Sequence, residues 1–266
     1  MEVMGYIAAL LIGVSLGLIG GGGSILTVPV LVYLFGLNPL LSTSYSLFVV
    51  GSTSLVGAVN NYFKGFVRIK TALLFGISSI TTVYITRKFL LALIPEIIIN
   101  VGGFQVTREI VTMVLFAILM VVASVSMIRE HHQSVKTSNT ANRKVNIPKL
   151  LLYGVAIGIA TGLLGAGGGF LLIPTLVLLV RLPMKEAVGT SLLIIALNSL
   201  IGFTGDIGHF TINWGFLLKI TVISIAGTFL GGWIGKRIPG DKLKKGFGWF
   251  VLVMGVYILT KEIFFS

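Results

Sequence analysis

Cysteine is absent from the 266 residues, which excludes disulfides, thiolate metal sites and cysteine nucleophiles. Charge is scarce as well: Asp, Glu, Lys and Arg together make up 11% of the chain. The three histidines are His131 and His132, in one polar run, and His209 in a short loop, so they assemble neither a metal cluster nor a catalytic triad. No apolar segment carries a nucleophile with a base in reach, nor paired aspartates at its centre, which excludes an intramembrane protease and argues against an enzyme of any kind. What fills the chain instead is apolar, with 55% hydrophobic residues and a mean hydropathy of +1.03. A water-soluble domain of this length could not hide that much apolar surface, so the chain reads as an integral membrane protein. Apolar stretches of about 20 residues recur from end to end and leave no room for a soluble domain.

The formal charge of +12 would suggest nucleic acid in a soluble protein. Here the basic residues sit in short loops between apolar spans, where they set membrane orientation, so lipid is the expected surrounding and nucleic acid is not an expected partner. The N-terminus, MEVMGYIAALL, has an acidic residue where a signal peptide needs basic ones, and the first segment is expected to stay in the protein.

A glycine run organises the chain, and it occurs twice. Residues 17–34 read GLIGGGGSILTVPVLVYL and residues 162–179 read GLLGAGGGFLLIPTLVLL. Laying 17–57 on 162–202 without a gap gives 16 identities in 41 positions, among them Gly20/Gly165, Gly22/Gly167, Gly23/Gly168, Pro29/Pro174, Ser46/Ser191, Ser54/Ser199 and Gly57/Gly202. Shared glycines, prolines and serines are harder to match by accident than leucines, so the chain reads as a duplication.

Eight apolar stretches follow, four per half: Gly5 to Phe35, Thr43 to Phe63, Ile69 to Ile85, Ile110 to Ile128, Leu150 to Val180, Ala187 to Gly205, Asn213 to Ile234 and Phe247 to Phe264. The domains are a first repeat over 1–128, a polar cytoplasmic linker over 129–149 and a second repeat over 150–266. Within the first repeat, 87–108 is apolar yet broken by Pro95, Glu96, Asn100 and Gly102-Gly103, which predicts an interfacial helix and loop.

The glycine-bearing stretch of each half is too long for one crossing, since 31 residues reach about 45 Å against a hydrocarbon core of about 30 Å. Loop charge chooses between a tilted span and a broken one. If all eight stretches cross, Lys and Arg divide 9 to 10 between the two sides, against the positive-inside rule. If the two glycine-bearing stretches are re-entrant hairpins, the division becomes 15 to 4. Three crossings per half then remain, an odd number, so the halves face opposite ways. The expected fold is an all-α polytopic membrane protein of two inverted repeats, each a glycine-broken re-entrant hairpin plus three transmembrane helices, with both termini outside.

The hairpin tips are the expected binding site. Gly20, Gly21, Gly22 and Gly23, and Gly165, Gly167, Gly168 and Gly169, would offer free backbone N–H groups at the start of half-helices beginning at Ser24 and Phe170, an arrangement that suits an anion. The alternative is close helix packing through small residues. Neither run ends in the Gly-Lys-Ser/Thr of a phosphate loop, and no cofactor or metal is expected. The hydroxyls that follow are candidate donors to an oxyanion: Ser42, Thr43, Ser44 and Ser46, then Thr190 and Ser191, with Ser46 and Ser191 favoured because the repeat pairs them. Bonding back to their own helix is the alternative role. Asn198, inside an otherwise apolar segment, is preferred to Ser54 or Ser199. Asp206 and Lys219 are the candidates for a coupling role, with an interfacial cap and a snorkelling side chain as the alternatives.

The paired glycine motifs with Pro29 and Pro174, the VGTSLL phrase from Val188 to Leu193, and the late GHFTINW and GGWIGKRIP segments together resemble the TauE/SafE family of sulfite exporters. The resemblance runs from about Gly5 to Tyr257 and lies in the order and doubling of the motifs. It implies transport, without ATP, of small sulfur-containing oxyanions such as sulfite, sulfoacetate or other organosulfonates across a bacterial inner membrane. The chain departs from the family pattern in the apolar insert from Arg87 to Arg108 and in Ser-Tyr-Ser at 44–46, where the second half has Gly-Thr-Ser.

The sequence therefore predicts a secondary transporter working by alternating access, with protons or the membrane potential as the driving force. A uniporter or channel-like protein and a non-transporting membrane partner are the alternatives. Direction, substrate identity and oligomeric state are not set by the sequence.

Overall fold

In the computed structural model, residues 2–90, 93–95, 97–101, 104–129, 147–178, 180–209, 211–234 and 240–264 are described. Most of the expected linker, 130–146, lies outside them. The helices are α1 (Glu2–Ile19), α2 (Thr27–Tyr33), α3 (Pro39–Phe63), α4 (Ile69–Ile85), α5 (Arg108–Arg129), α6 (Ile147–Leu164), α7 (Gly169–Leu178), α8 (Met184–Asp206), α9 (Trp214–Ile234) and α10 (Gly240–Phe264). A 3₁₀ turn, Gly22–Leu26, joins α1 to α2, and α4 runs on into a π-helical turn, Thr86–Leu90. Five helices among the described residues are long and apolar enough to cross a membrane, and shorter apolar helices flank both glycine runs.

The ends of α3 show how local chemistry sets these bounds. The Asn38 side chain accepts from the Leu40 N–H at 2.9 Å, and Pro39 opens the helix where its missing N–H costs nothing. At the other end Gly65, at φ +74°, takes the left-handed conformation. Gly65 N–H then bonds Tyr62 O and Phe66 N–H bonds Asn61 O, closing off the last free carbonyls.

Burial is arranged for lipid. Outward faces carry Ile77, Leu152, Val222, Phe229 and Val253, all exposed, whereas Ser42, Thr43, Ser44, Ser46, Thr53 and Ser54 on α3 are buried. In water this distribution would be unstable; in a bilayer, polar groups turn inward where protein can partner them.

Helix directions follow from named contacts. A methyl on Gly51, Gly57 or Gly202 would strike Leu200, Leu192 and Leu47 respectively, so α3 and α8 pack antiparallel. Between α4 and α8 the pairs Arg68 with Glu186, Ser79 with Asn198 and Arg87 with Asp206 advance together, so those helices are parallel. Gly154, Gly158 and Gly162 of α6 lie against Phe75, Ser79 and Val83, making α6 parallel to α4. Helices α6 and α8 thus start at the same face, and the chain between them, with its break, returns to the face it left. The first glycine segment does the same. Gly13 and Gly17 of α1 lie on Ser224 and Thr228 of α9, so the two helices start together. The Asn213 N–H, just before α9, bonds the hydroxyl of Tyr45 near the start of α3 at 2.6 Å.

Several contacts recur when both numbers are shifted by the repeat. Gly13 on Ser224 matches Gly158 on Ser79, Gly17 on Thr228 matches Gly162 on Val83, Gly20 on Val188 matches Gly165 on Thr43, and Gly57 on Leu192 matches Gly202 on Leu47. Each half therefore packs on the other in the same way. Alanine at Gly13 or Gly158 would push a methyl into the Ser224 or Ser79 carbonyl. Each is expected to cost about 1–3 kcal/mol, read as a lower thermal midpoint of the purified protein; an unchanged midpoint would contradict this packing.

Where the sequence suggests an interfacial helix and loop over 87–108, the described residues hold the helical turn Thr86–Leu90 and a pair of strands. After the π turn comes a two-stranded antiparallel hairpin, β1 (Ile97–Val101) with β2 (Phe104–Thr107), in which Asn100 pairs with Gln105. Successive β-branched isoleucines favour extended backbone over helix, and Gly102-Gly103 between the strands is turn composition.

Candidate functional site

Each glycine run ends one helix and starts another in the same way. Gly20 N–H closes the last turn of α1 on Leu16 O, and Gly165 N–H closes α6 on Thr161 O, both at 2.9 Å. Both glycines then turn to positive φ, +85° and +66°, which a side chain would strain. Gly20 is seated on Val188, in the opening turns of α8, and Gly165 on Thr43, in the opening turns of α3, so each break rests on the other half.

The two breaks touch. A methyl on Gly21 would lie 2.5 Å from the Gly169 Cα, and a methyl on Gly169 would overlap the Gly21 Cα and carbonyl. Gly167 faces Val50, Ile195 and Ser199, Gly168 lies against the Thr161 hydroxyl, and Gly23 against Ser15. The 3₁₀ turn that begins at Gly22 has no side-chain cap, and the first N–H groups of such a turn have no partner within it. A crevice beside the second break, lined by Ala160, Thr161, Leu164, Ala166, Gly168 and Leu171, has no room for a water molecule.

The candidate hydroxyls divide into satisfied and unsatisfied ones. Ser24 donates to Gly21 O at 2.8 Å and Ser191 to Val188 O at 2.9 Å, both within their own helical turns. Thr190 accepts from the Arg68 backbone N–H at 3.0 Å. Ser46 is buried with no partner. Asn198 accepts from Ser79 at 2.9 Å, while its amide nitrogen is buried and unpartnered. Four further unpartnered hydroxyls, Thr27, Ser44, Thr161 and Ser54, join Ser199 in the interior. A buried donor without an acceptor costs about 1–3 kcal/mol, so these groups are the polar atoms of the interior that a partner would satisfy.

The sequence reading ranked Asn198 above Ser54 and Ser199, yet those two serines are the repeat-related pair left unpartnered on α3 and α8, both fully buried. Their identity in the repeat alignment was the available signal. Lys219 is exposed on α9, away from the interior.

Asp206 is 1% exposed and accepts from Arg87 Nη1 at 3.0 Å. The Arg87 side chain enters from the π turn, with its Nε and Nη2 buried and unpartnered. The sequence placed Arg87 at the edge of an interfacial insert, and nothing short of a partner 119 positions away reveals its burial. Polar bonds thus run the length of the α4/α8 seam: an exposed Arg68–Glu186 pair at one end, Ser79–Asn198 within, and Arg87–Asp206 at the other. The Glu186 carboxylate holds the Arg68 guanidinium above its ordinary pKa. Among the described residues no cluster of His, Asp and Glu could hold a metal ion.

The family described as Sulfite exporter TauE/SafE matches residues 6–258. A probable membrane transporter protein of Xylella fastidiosa is 28% identical over 268 residues, covering 95% of this chain and 92% of the relative. The probable membrane transporter protein YunE of Bacillus subtilis is 28% identical over 261 residues, covering 88% and 89%. A probable membrane transporter protein of Haemophilus influenzae is 27% identical over 275 residues, covering 94% and 95%. No solved structure matches the chain.

Proposed function

Because this chain belongs to the Sulfite exporter TauE/SafE family and is a multi-pass membrane transporter, we propose that its cargo is a small sulfur-containing oxyanion, sulfite or an organosulfonate such as sulfoacetate, bound beside the glycine breaks. The observation that carries this reading is the tip contact of Gly21 with Gly169, with the unpartnered Ser199 hydroxyl against Gly167. Hydroxyls and backbone N–H groups hold an oxyanion through hydrogen bonds without adding a full charge that would slow its release.

The two halves are inverted repeats, and the membrane is bacterial and cytoplasmic, with the Arg68 end of α4 facing the cytoplasm. Two features support the inversion: the repeat-equivalent helices α3 and α8 are antiparallel, and loop charge divides 15 to 4 only when both glycine segments return to their own side. Transport proceeds by rocking of the halves about the tips. Protons are a candidate coupling ion, with the buried Asp206 as the candidate carboxylate.

The test is counterflow in proteoliposomes with labelled sulfoacetate. A carrier accumulates label against unlabelled substrate inside, and a pore does not. The double variant Ser54→Ala/Ser199→Ala is expected to raise the half-saturating concentration about tenfold or more, since about 1.4 kcal/mol is a factor of ten and each donor contributes about 1–3 kcal/mol. Unchanged saturation would remove these serines from the site.

A further inference from the structure

Arg68 and Arg87 meet carboxylates of α8 in different ways. Arg68 uses the parallel Nε and Nη2 donors of its guanidinium, each 2.7 Å from one oxygen of Glu186. That two-point edge is the part of arginine that fits carboxylate, sulfonate and phosphate oxygens. Arg87 gives Asp206 only Nη1, at 3.0 Å, and its Nε and Nη2 are buried without a partner among the described residues. The residue as a whole is 1% exposed.

The fold brings this edge to a particular place. Arg87 lies in the π-helical turn that extends α4, a wider turn of the kind found at functional sites. Gly205 lets the side chain in, since a methyl there would sit 3.1 Å from the Arg87 Cβ. The neighbouring Thr86 packs on Gly162, one turn before the second break. The antiparallel register of α3 and α8 sets Thr43, on which Gly165 is seated, at the level of the α8 turn that carries Asp206. Arg87 therefore lies at the level of Gly165, where the second break begins, at the Asp206 end of the seam.

We propose that the Nε and Nη2 edge of Arg87 is an oxyanion-binding element that takes two oxygens of a sulfonate or sulfite-like anion. It rests on the oxyanion transport proposed above and adds to the uncharged tip donors one cationic group. Asp206 on Nη1 balances the charge of Arg87, so the edge attracts by geometry rather than by net charge, and the anion can leave. Monatomic anions gain nothing from a two-point edge, which makes the element selective for oxyanions over chloride.

The experiment is calorimetric titration of the purified full-length protein with sulfoacetate and with chloride. Arg87→Lys keeps the positive charge for Asp206 and removes the paired donors. Sulfoacetate affinity is expected to fall tenfold or more, with chloride binding and thermal midpoint close to wild type. Should the lysine variant fail to fold, the neutral pair Arg87→Met/Asp206→Leu makes the same comparison. Wild-type sulfoacetate affinity in the folded variant would overturn the proposal, and so would a wild-type protein that binds neither sulfoacetate nor sulfite. Loss of binding in Ser54→Ala/Ser199→Ala with retention in Arg87→Lys sinks the Arg87 element alone. The opposite pattern sinks the tip site and supports the arginine.

Discussion

Alanine at Gly169 is expected to cut sulfoacetate flux in proteoliposomes at least tenfold. The added methyl would overlap the Gly21 Cα and carbonyl, and backbone cannot step aside as a side-chain end can. The two broken segments would be forced apart where they meet, and both rest on long helices of the opposite half, so the strain passes to the α3/α8 pair. Overpacking of this kind costs about 1–3 kcal/mol, enough to lower the thermal midpoint without unfolding the protein. Gly232 of α9 is the control, because a methyl there meets nothing within 4 Å. Gly232→Ala should transport as wild type. If Gly169→Ala also transports normally, the tip contact has no part in transport.

The second large effect concerns the buried ion pair. Asp206→Asn leaves the Arg87 guanidinium inside the protein with no opposing charge. Removing one partner of a buried pair costs about 3–5 kcal/mol, whereas replacing both with apolar residues of similar volume is often neutral. Asp206→Asn should therefore lower the thermal midpoint sharply, and Arg87→Met/Asp206→Leu should recover most of it. A double variant as unstable as the single one would mean that the pair is not the source of the loss. The Arg68–Glu186 pair makes the comparison: the Arg68 side chain is 59% exposed, and Arg68→Ala should leave the midpoint unchanged.

Much of this architecture was legible because membrane helices are written in composition. The sequence segments Ile69 to Ile85 and Asn213 to Ile234 agree closely with α4 and α9. A return of each glycine segment is expected from a length that one span cannot use and from basic residues that fall on one side only if those segments turn back, and the shared starting face of α6 and α8 is consistent with it. The strands of the insert were not legible because an isoleucine-rich run looks equally apolar as helix or strand, and only its β-branching and the following glycine pair favour β1 and β2. Site chemistry was harder to read. Whether a serine bonds back to its helix, as Ser191 does, or is left without a partner, as Ser54 is, depends on rotamer and packing rather than on residue type. Asp206 was singled out as a lone carboxylate, but its character comes from Arg87, which a linear reading assigns to the membrane surface. Lys219 points outward, as a lysine near a helix start can when its stem follows the helix to the interface.

The natural absence of cysteine makes one measurement especially direct. Ser199→Cys places the protein's single thiol beside the second glycine break, and its rate of modification by a small methanethiosulfonate reagent can be followed in proteoliposomes. If the oxyanion sits beside the breaks, sulfoacetate slows the reaction, half-maximally at the concentration that half-saturates transport by the same variant. A modification rate indifferent to sulfoacetate, in a variant that still transports it, would place the anion elsewhere.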